Sequence, residues 1–288
     1  MFNMSKIAES ELIVNPDGSV YHLNLKAGDI SDKIIAVGDP GRVYRVSKFF
    51  DSLDFEMNKR EFITHTGLYK GKRLTVLSTG MGTDNIEILL TELDALFNID
   101  LKSREIKKKK KKLTIVKIGT SGSIQADIRL GTHLASDYAI GLDNLFAYYN
   151  FPQDKTGVEV SKALKERLDL NFMPYCCKCS ENLKKKIAWD MPSGNTLSAP
   201  GFYAPQGREI RIKPRNPSFL NELIHFHLND FWLTNFEMEA SAYYGLGKML
   251  GHEVLCLNAI IANRVRKSFS KNYNVSVDKL IQLVLDRI

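Results

Sequence analysis

Features that would place the chain outside ordinary globular proteins are scarce in this sequence. No uninterrupted apolar run reaches the roughly 18 residues that a membrane-spanning helix needs, and residues 1–6 lack the apolar stretch of a signal peptide. Disorder, collagen-like repeats and coiled coils are excluded too, because 44% apolar and 25% charged residues are typical of a protein with a packed core. The default expectation is a cytoplasmic protein that does not bind membranes.

Cysteine is also rare, with 4 residues among 288. Three of them lie together at Cys176, Cys177 and Cys179, which does not make a disulfide framework in a chain of this length. A zinc site needs a second pair of Cys or His residues at ligand spacing, and the nearest histidines lie far away in the sequence. We therefore expect no metal site, reduced thiols, and Cys256 as a small core residue in an apolar strand.

Charge of one sign is concentrated in a single place. The formal net charge is +7, and the six consecutive lysines at residues 107–112 account for all but one of these charges. Runs of like charge repel one another and seldom become ordered, which favours a solvated loop. A patch that binds nucleic acid or an anionic surface is the alternative, and the sequence leaves the role of the run open.

The chain length fits one large α/β domain or two small ones. We find no linker rich in Pro, Gly or Ser and no internal repeat, which favours a single domain over residues 1–288 with a polar, lysine-rich insertion around residues 102–112. Residues 152–195 show no regular pattern.

Short apolar runs alternate with segments of helical spacing. The runs at residues 33–38, 74–80 and 113–119 end in glycine, and a fourth covers residues 254–262. Helical spacing follows at residues 86–97, with Asp84 placed to cap the helix, and at residues 280–288. This alternation predicts a central mixed sheet with helices on its faces, and such sheets bind ligands beyond the carboxyl ends of their strands.

Two of the glycine turns carry groups that suit an anion. Gly38 is followed by Pro40 and Arg42, and Lys117 is followed by Gly119 and a hydroxyl at Thr120. Exposed amides with a nearby cation can bind an oxyanion, whereas an incidental surface turn and a capped helix start are the alternatives. Neither turn matches a phosphate loop or a dinucleotide fingerprint, which disfavours nucleotide triphosphates and NAD.

Two later segments carry polar groups that could bind small organic ligands. Residues 235–239 open a helical stretch at residues 240–250, and their acids either complement the helix dipole or hold sugar hydroxyls, with Met238 packed on the sugar ring. Gln206 and Arg208 stand two residues apart beside aromatic residues. An extended loop would send both side chains to one side, as recognition of a flat heteroaromatic ring requires.

These segments, in this order, resemble the nucleoside phosphorylase superfamily and most closely its uridine phosphorylases. The resemblance rests on eight segments spread over nearly the whole chain: residues 21–23, 38–42, 59–62, 78–82, 118–122, 202–208, 236–240 and 262–264. It implies an α/β fold with a central mixed sheet, partly barrel-like, flanked by helices. It also implies a pentosyltransferase that converts uridine and phosphate to uracil and ribose 1-phosphate. Phosphate is then a co-substrate, and no cofactor is needed.

The resemblance also assigns roles to individual residues. The phosphate-binding positions are Gly38, Arg42, Arg60, Lys117 and Thr120; the ribose-binding positions are His22, Met238 and Glu239; the base-binding positions are Phe202, Gln206, Arg208 and Arg264. Arg42, Lys117, Thr120 and Arg208 are the expected catalytic residues. Arg60 and His22 would be donated by a neighbouring subunit, which implies at least a homodimer, with a hexamer of three dimers as the larger option. The same analogy allows a monovalent cation at the subunit contact near Glu61.

The sequence departs from the family pattern at several positions. Lys117 stands where the family generally has an arginine, so the charge is kept while the bidentate fork is lost. Pro205, Glu209 and Ile210 also differ, which leaves open the preference among uridine, thymidine and deoxyuridine.

Two other functions remain open from the sequence. A purine nucleoside phosphorylase or a nucleosidase of the same fold typically has an acid where this chain has Asn263. A catalytically silent protein that binds nucleosides or nucleic acid is the further alternative, although nucleic acid is not an expected partner.

Overall fold

The structure is a computed structural model that describes residues 6–288. Residues 1–5 lie outside the described part. The expectation that residues 1–6 are not part of a signal peptide therefore falls mostly outside it.

The described residues contain seven α-helices and fifteen β-strands. The helices are α1 (Pro40–Ser47), α2 (Thr83–Asn98), α3 (Lys155–Arg167), α4 (Glu181–Ile187), α5 (Phe219–Ile224), α6 (Ala240–Leu250) and α7 (Tyr273–Arg287). The strands are β1 (Lys33–Val37), β2 (Ser52–Lys59), β3 (Phe62–Tyr69), β4 (Lys72–Ser78), β5 (Ile99–Asp100), β6 (Glu105–Ile106), β7 (Thr114–Ser123), β8 (His133–Gly141), β9 (Tyr175–Lys178), β10 (Ser193–Ser198), β11 (His227–Leu228), β12 (Phe231–Trp232), β13 (Asn235–Glu237), β14 (Glu253–Asn263) and β15 (Ser268–Phe269). None of these helices combines the length and the apolar character needed to cross a membrane.

Eleven of the strands form one mixed sheet. Its order is β15-β14-β8-β10-β13-β7-β1-β4-β3-β2, with β9 beside β8. The long strands β7 and β14 also pair with each other in parallel, which closes β14, β8, β10, β13 and β7 into a five-stranded barrel. The predicted α/β fold with a mixed, partly barrel-like sheet is therefore confirmed.

The four predicted apolar strands are confirmed as β1, β4, β7 and β14. Their residues are buried on both faces, as near-continuous apolar runs require. β7 extends further than expected, to Ser123, because β14 supplies a partner along its length. Gly119 and Thr120 therefore lie inside a strand, and the turn predicted at these residues is wrong.

The predicted helices at the expected places are confirmed as α2, α6 and α7. α2 begins at Thr83 behind Gly82, so Asp84 lies in its first turn and is not the capping residue.

Two stretches were predicted wrongly from the sequence. Residues 152–195, expected to be irregular, contain α3, β9, α4 and the start of β10. The hydrophobic pattern of these elements is weak, because α3 buries only a narrow stripe that includes Val160 and Leu164. β9 is a short strand at the edge of the sheet. Residues 235–237, expected to open a helix, form β13 inside the barrel, and the helix begins only at Ala240.

The lysine-rich insertion follows α2 and is tied back to it. β5 and β6 form a small antiparallel pair, and the Asn98 side chain bonds both backbone polar groups of Lys111. All six lysines at residues 107–112 are exposed. Lys107 Nζ donates to Phe97 O at 2.8 Å, and Lys111 Nζ lies 2.9 Å from Asp32 Oδ2. The run is solvated, as predicted, and some of its members are anchored by contacts.

The four cysteines are free and buried. Cys256 is fully buried in β14, as predicted. Burial raises the pKa of the Cys179 thiol to about 12, with a further rise from the charge of Asp137. This thiol is therefore not an activated nucleophile.

A chain of buried polar side chains crosses the interior of the barrel. Asn258 of β14 donates to Ser136 of β8 at 3.2 Å, and Ser136 bonds Thr196 of β10 at 2.6 Å. Thr196 donates to Asn235 Oδ1 at 3.0 Å, and Asn235 Nδ2 donates to Ser121 of β7 at 2.9 Å. Each of the five barrel strands contributes one side chain, so this series of hydrogen bonds links all five strands of the barrel.

Replacement of Asn235 tests this polar chain. Asn235→Ala leaves Ser121 and Thr196 without their shared partner in a dry interior, and we expect a loss of about 2–3 kcal/mol in the free energy of unfolding. Asn195→Ala is the matched control, because that side chain lies on the neighbouring strand and makes one exposed bond to Trp232 O; its cost should stay below about 1 kcal/mol. Urea denaturation measures both, and equal losses would contradict the assignment.

Candidate active site

The carboxyl end of β1 lies beside the end of β4 and the middle of β7. Val37, the last residue of β1, is paired with Ser78 of β4 and with Ile118 of β7. A side chain at Gly38 would come within 3.4 Å of Gly80 O, so the segments after β1 and β4 almost touch. Three neighbouring strands therefore deliver their residues to one small region.

Arg42 enters this region from the first turn of α1. Asp39 caps the helix by accepting from Gly41 N at 2.9 Å, and Pro40 fixes its first residue. The Arg42 side chain is buried and donates from Nη1 to Ile118 O at 3.1 Å.

The charge of Arg42 is not compensated by a carboxylate within 4 Å among residues 6–288. Its buried Nε also has no hydrogen-bond partner in that part of the chain. Burial lowers the pKa of the guanidinium, and the negative charges of Asp39 and Glu239 oppose that effect. A buried cation with a spare donor beside open backbone suits an anionic ligand.

Lys117 of β7 is fully enclosed and lies between two acids. Its Nζ contacts the carboxylate of Glu237 and donates to Glu239 Oε2 at 2.9 Å. Burial alone would lower the pKa of Lys117, but the charges of Glu237 and Glu239 raise it above its ordinary value. The ammonium is therefore charged and already bonded to protein groups, and direct contact with phosphate stays a prediction.

Glu237 is the firmly held member of this pair of acids. It accepts from Ser198 Oγ at 2.5 Å and from the backbone N of Glu239 and Ala240 at 3.0 Å. Burial alone would raise the pKa of Glu237, but the charge of Lys117 and these hydrogen bonds lower it. Glu237 is thus an ionised group that fixes the start of α6.

Glu239 precedes α6 and faces the loop after β4. Its Oε1 accepts from Gly82 N at 3.0 Å, where a φ of +100° requires glycine. Burial raises the pKa of Glu239, with the charge of Lys117 opposing the rise. Each carboxylate oxygen has two lone pairs, so Glu239 can still accept hydrogen bonds from sugar hydroxyls. Met238 is half-buried beside it.

The segment that carries Gln206 and Arg208 is not extended, contrary to the prediction. A single 3₁₀ turn covers Ala204–Gln206, and Gly207 follows with a φ of +66°. The two side chains meet nevertheless: Arg208 Nη1 donates to Gln206 Oε1 at 2.6 Å. The guanidinium also lies 3.8 Å above the ring centre of Phe202.

Arg264 joins this loop to the barrel. It follows β14, donates from Nη1 to Gln206 O at 2.9 Å, and lies next to Gly122 of β7. Burial and the charge of Arg264 lower the pKa of Arg208 to about 10, and burial lowers the pKa of Arg264 as well. Two cations held near each other without a carboxylate partner among residues 6–288 would favour negative charge on a ligand between them.

The two residues predicted to serve a second copy of the chain lie on one surface. Arg60 forms the tip of the β2–β3 hairpin with a φ of +54°, and its guanidinium lies 5.9 Å from the ring centre of Tyr21. The Tyr21 and His22 rings make a T-shaped contact, with 4.8 Å between the ring centres. Ser78 Oγ, at the end of β4, donates to Glu61 O and so fixes this hairpin.

Some residues that build the site were not found from the sequence. Ser198 orients Glu237 from β10 and carries no sequence signal, because it is one hydroxyl in a strand that the sequence did not predict. Glu92 of α2 bonds His22 and is the second case. The sequence could have indicated this residue, because Glu92 lies on the apolar face of the predicted helix, directly before Leu93. An acid at such a position is buried and needs a hydrogen-bond partner.

The fold and the site define an α/β protein in which a buried arginine with a spare donor lies beside the strand ends of a mixed, partly closed sheet. The family model for the phosphorylase superfamily matches residues 32–288. The chain belongs to this family.

Curated relatives and solved structures agree with this membership. A uridine phosphorylase of Thermococcus kodakarensis is 31% identical over 271 residues, covering 93% of this chain and 86% of the relative. A DeoD-type purine nucleoside phosphorylase of Streptococcus suis is 28% identical over 247 residues, covering 83% of this chain and 84% of the relative. A Trypanosoma brucei nucleoside phosphorylase, whose crystal structure is described as showing uridine phosphorylase activity, superposes with a TM-score of 0.88 at 30% identity and covers 96% of this chain and 98% of its own.

Removal of the Lys117 charge tests the buried ion group. Lys117→Met leaves Glu237 and Glu239 without their cation, and we expect a loss of about 3–5 kcal/mol in the free energy of unfolding near neutral pH. Lys117→Arg keeps the charge and should lose less than half as much. Urea denaturation of both variants measures the difference, and a methionine variant as stable as wild type would show that the contact is not needed.

The same variant has an expected pH dependence. Burial already raises the pKa of Glu239 above its ordinary value, and loss of Lys117 raises it further. The folded state of Lys117→Met therefore takes up protons that the unfolded state does not. The difference in the free energy of unfolding between the variant and wild type should become smaller as the pH falls from about 7.5 to about 5.5. A deficit that grows as the pH falls would contradict this assignment.

Proposed function

We propose that the protein cleaves pyrimidine nucleosides by phosphorolysis, converting uridine and phosphate to uracil and ribose 1-phosphate. The observation that carries the proposal is that two groups of polar side chains both contact β7: Arg42 donates to Ile118 O, and Arg264 lies next to Gly122. One contains the uncompensated Arg42 beside Glu239, and the other contains Gln206 with Arg208 and Arg264. Family membership and the uridine phosphorylases among the relatives support the same reaction.

Phosphate would bind at the end of β1 and the middle of β7. The Gly38 amide, the spare donor of Arg42 and the half-buried Thr120 hydroxyl are the groups of one copy. Arg60 of a second copy would complete the cage. Lys117 would add positive charge from behind the carboxylates, and any direct bond to phosphate would use its remaining N–H.

The ribose would lie between this anion and α6. Glu239, fixed by Gly82 N and Lys117, would accept from the 2′- and 3′-hydroxyls, and Met238 would pack on the ring. The carboxylate would also favour the positive charge that develops on the sugar as the glycosidic bond breaks.

The pyrimidine would lie against the loop at residues 202–208. Gln206 would bond its N3 edge and Phe202 would pack on the ring, while Arg208 would stabilise the negative charge that the leaving base carries on its carbonyls. The proposal needs no acid–base group. Positioning can supply about 7–11 kcal/mol of the barrier, and fixed charges several more.

A purine nucleoside would need a proton donor at N7, which enzymes of this superfamily typically take from an acid at the position of Asn263. The Asn263 Nδ2 donates to Gln125 O and Ile128 O at 2.9 Å, and its Oδ1 accepts from backbone amides. The side chain is fully used by these bonds to its own loop and to the β7–β8 connection, which favours the pyrimidine substrate.

The proposed site also implies an oligomeric state, a co-substrate and a cellular compartment. Because His22 and Arg60 would serve the neighbouring copy, we propose at least a homodimer, with a hexamer of three dimers as the larger form. A monovalent cation near Glu61 would lie at that contact. Phosphate is the co-substrate, no cofactor takes part, and the cytoplasm is the proposed compartment.

A coupled assay on uridine, thymidine and inosine, with and without phosphate, tests the reaction. We expect uracil release from uridine that depends on phosphate, with little release from inosine. Release without phosphate would indicate a nucleosidase, and preference for inosine would indicate a purine enzyme. No release from any of the three would favour a silent binding protein.

Arg208→Ala tests the leaving-group role. Loss of the guanidinium removes the charge that stabilises the departing base, and kcat/KM for uridine should fall by about two orders of magnitude or more. Arg211→Ala removes the same side chain three residues along the exposed loop and should stay within about twofold of wild type. Steady-state kinetics at saturating phosphate compare them, and near-normal turnover of Arg208→Ala would refute the role.

A further inference from the structure

Glu92 is a buried acid whose contacts all go to one short segment. It lies on α2, is 6% exposed, and accepts from His22 N at 3.0 Å and from Leu23 N at 2.9 Å. Its Oε1 also lies 2.7 Å from His22 Nδ1. No Lys or Arg in residues 6–288 forms an ion pair with it. Because a buried carboxylate is costly unless it is satisfied, these bonds fix the segment to the helix.

The contact also determines the protonation of the imidazole. An ionised carboxylate only accepts hydrogen bonds, so His22 Nδ1 carries the proton. In the neutral ring Nε2 is then an acceptor. The side chain is 34% exposed, and the Tyr21 ring makes a T-shaped contact with it, with 4.8 Å between the ring centres. The orientation of the ring is therefore set from two sides, and its acceptor nitrogen is the atom left for a ligand.

α2 connects this histidine to the site of its own copy. Gly82, at the start of the helix, donates to Glu239, and Glu92 lies ten residues further on, about 15 Å along the helix axis. One rigid element thus holds the ribose carboxylate of one site and the histidine that would serve the other.

We propose that Glu92 is a positioning residue that holds His22 as its Nδ1–H tautomer, so that Nε2 accepts a hydrogen bond from the 5′-hydroxyl of the nucleoside bound to a second copy. The proposal rests on the proposed function. Glu92 thereby sets a preference for substrates that carry a free 5′-hydroxyl over 5′-deoxy analogues.

Glu92→Gln is the sharpest test, because it keeps the size of the side chain. The amide has one acceptor oxygen and a donor NH₂, and it cannot accept from His22 Nδ1 and from both backbone amides at once. The ratio of kcat/KM for uridine to kcat/KM for 5′-deoxyuridine should fall about tenfold. Glu87→Gln, the same change on the same helix at a residue that bonds Tyr149, should keep the wild-type ratio.

A double-mutant cycle separates positioning from stability. His22→Ala should lower the same ratio, and Glu92→Gln combined with His22→Ala should lower it no further, because Glu92 acts only through His22. Equal losses on both substrates in Glu92→Gln, or a further fall of the ratio in the double variant, would overturn the proposal.

The tautomer can be measured without activity. Nitrogen NMR of the ¹⁵N-histidine-labelled protein, with the His22 signal assigned by its loss in His22→Ala, should show protonated Nδ1 and unprotonated Nε2 at pH about 8. The opposite pattern would overturn the proposal, even if Glu92→Gln does not fold. If wild-type protein shows no phosphate-dependent cleavage of uridine, the proposed function fails, and the NMR result still decides whether Glu92 sets the tautomer.

Discussion

The contact of Lys117 with Glu237 and Glu239 is the interaction on which the site depends. The acids lie at the end of β13 and the start of α6, and the lysine comes from β7, so the contact fixes two elements of the barrel against each other. One cation between two carboxylates leaves an excess of negative charge in a dry interior, and burial makes such an excess costly. The nearby Arg42, which has no acid within ion-pair distance in the described chain, lies where it offsets that charge and still has a donor for an anion.

The closed part of the sheet places these groups. Because β7 pairs in parallel with both β1 and β14, the cation of Lys117 lies on the strand between the one that ends at Val37 and the one that leads to Arg264. The buried hydrogen bonds inside the barrel hold β7 and β14 from within. Candidate site residues as far apart in sequence as Gly38 and Arg264 therefore follow strands that both pair with β7.

Much of the fold could be predicted from hydrophobic patterns, because β1, β4, β7 and β14 are buried on both faces and α2, α6 and α7 carry clear apolar stripes. The patterns failed where few apolar residues are needed, as in α3, and where a strand is only three residues long, as in β13. The candidate site came mainly from the resemblance to a family. The resemblance named Lys117 as a phosphate ligand, but only the structure shows that two acids about 120 residues further along the chain already bind its ammonium.

A crystal structure of the protein with phosphate and uracil tests the central claim most directly. We expect one phosphate bonded by the Gly38 amide, Arg42 and Thr120, with Arg60 of a second copy completing its hydrogen bonds and uracil against Gln206 and Arg208. A phosphate found elsewhere, with Arg42 still bonded only to Ile118 O and Arg60 directed away from the site, would contradict it.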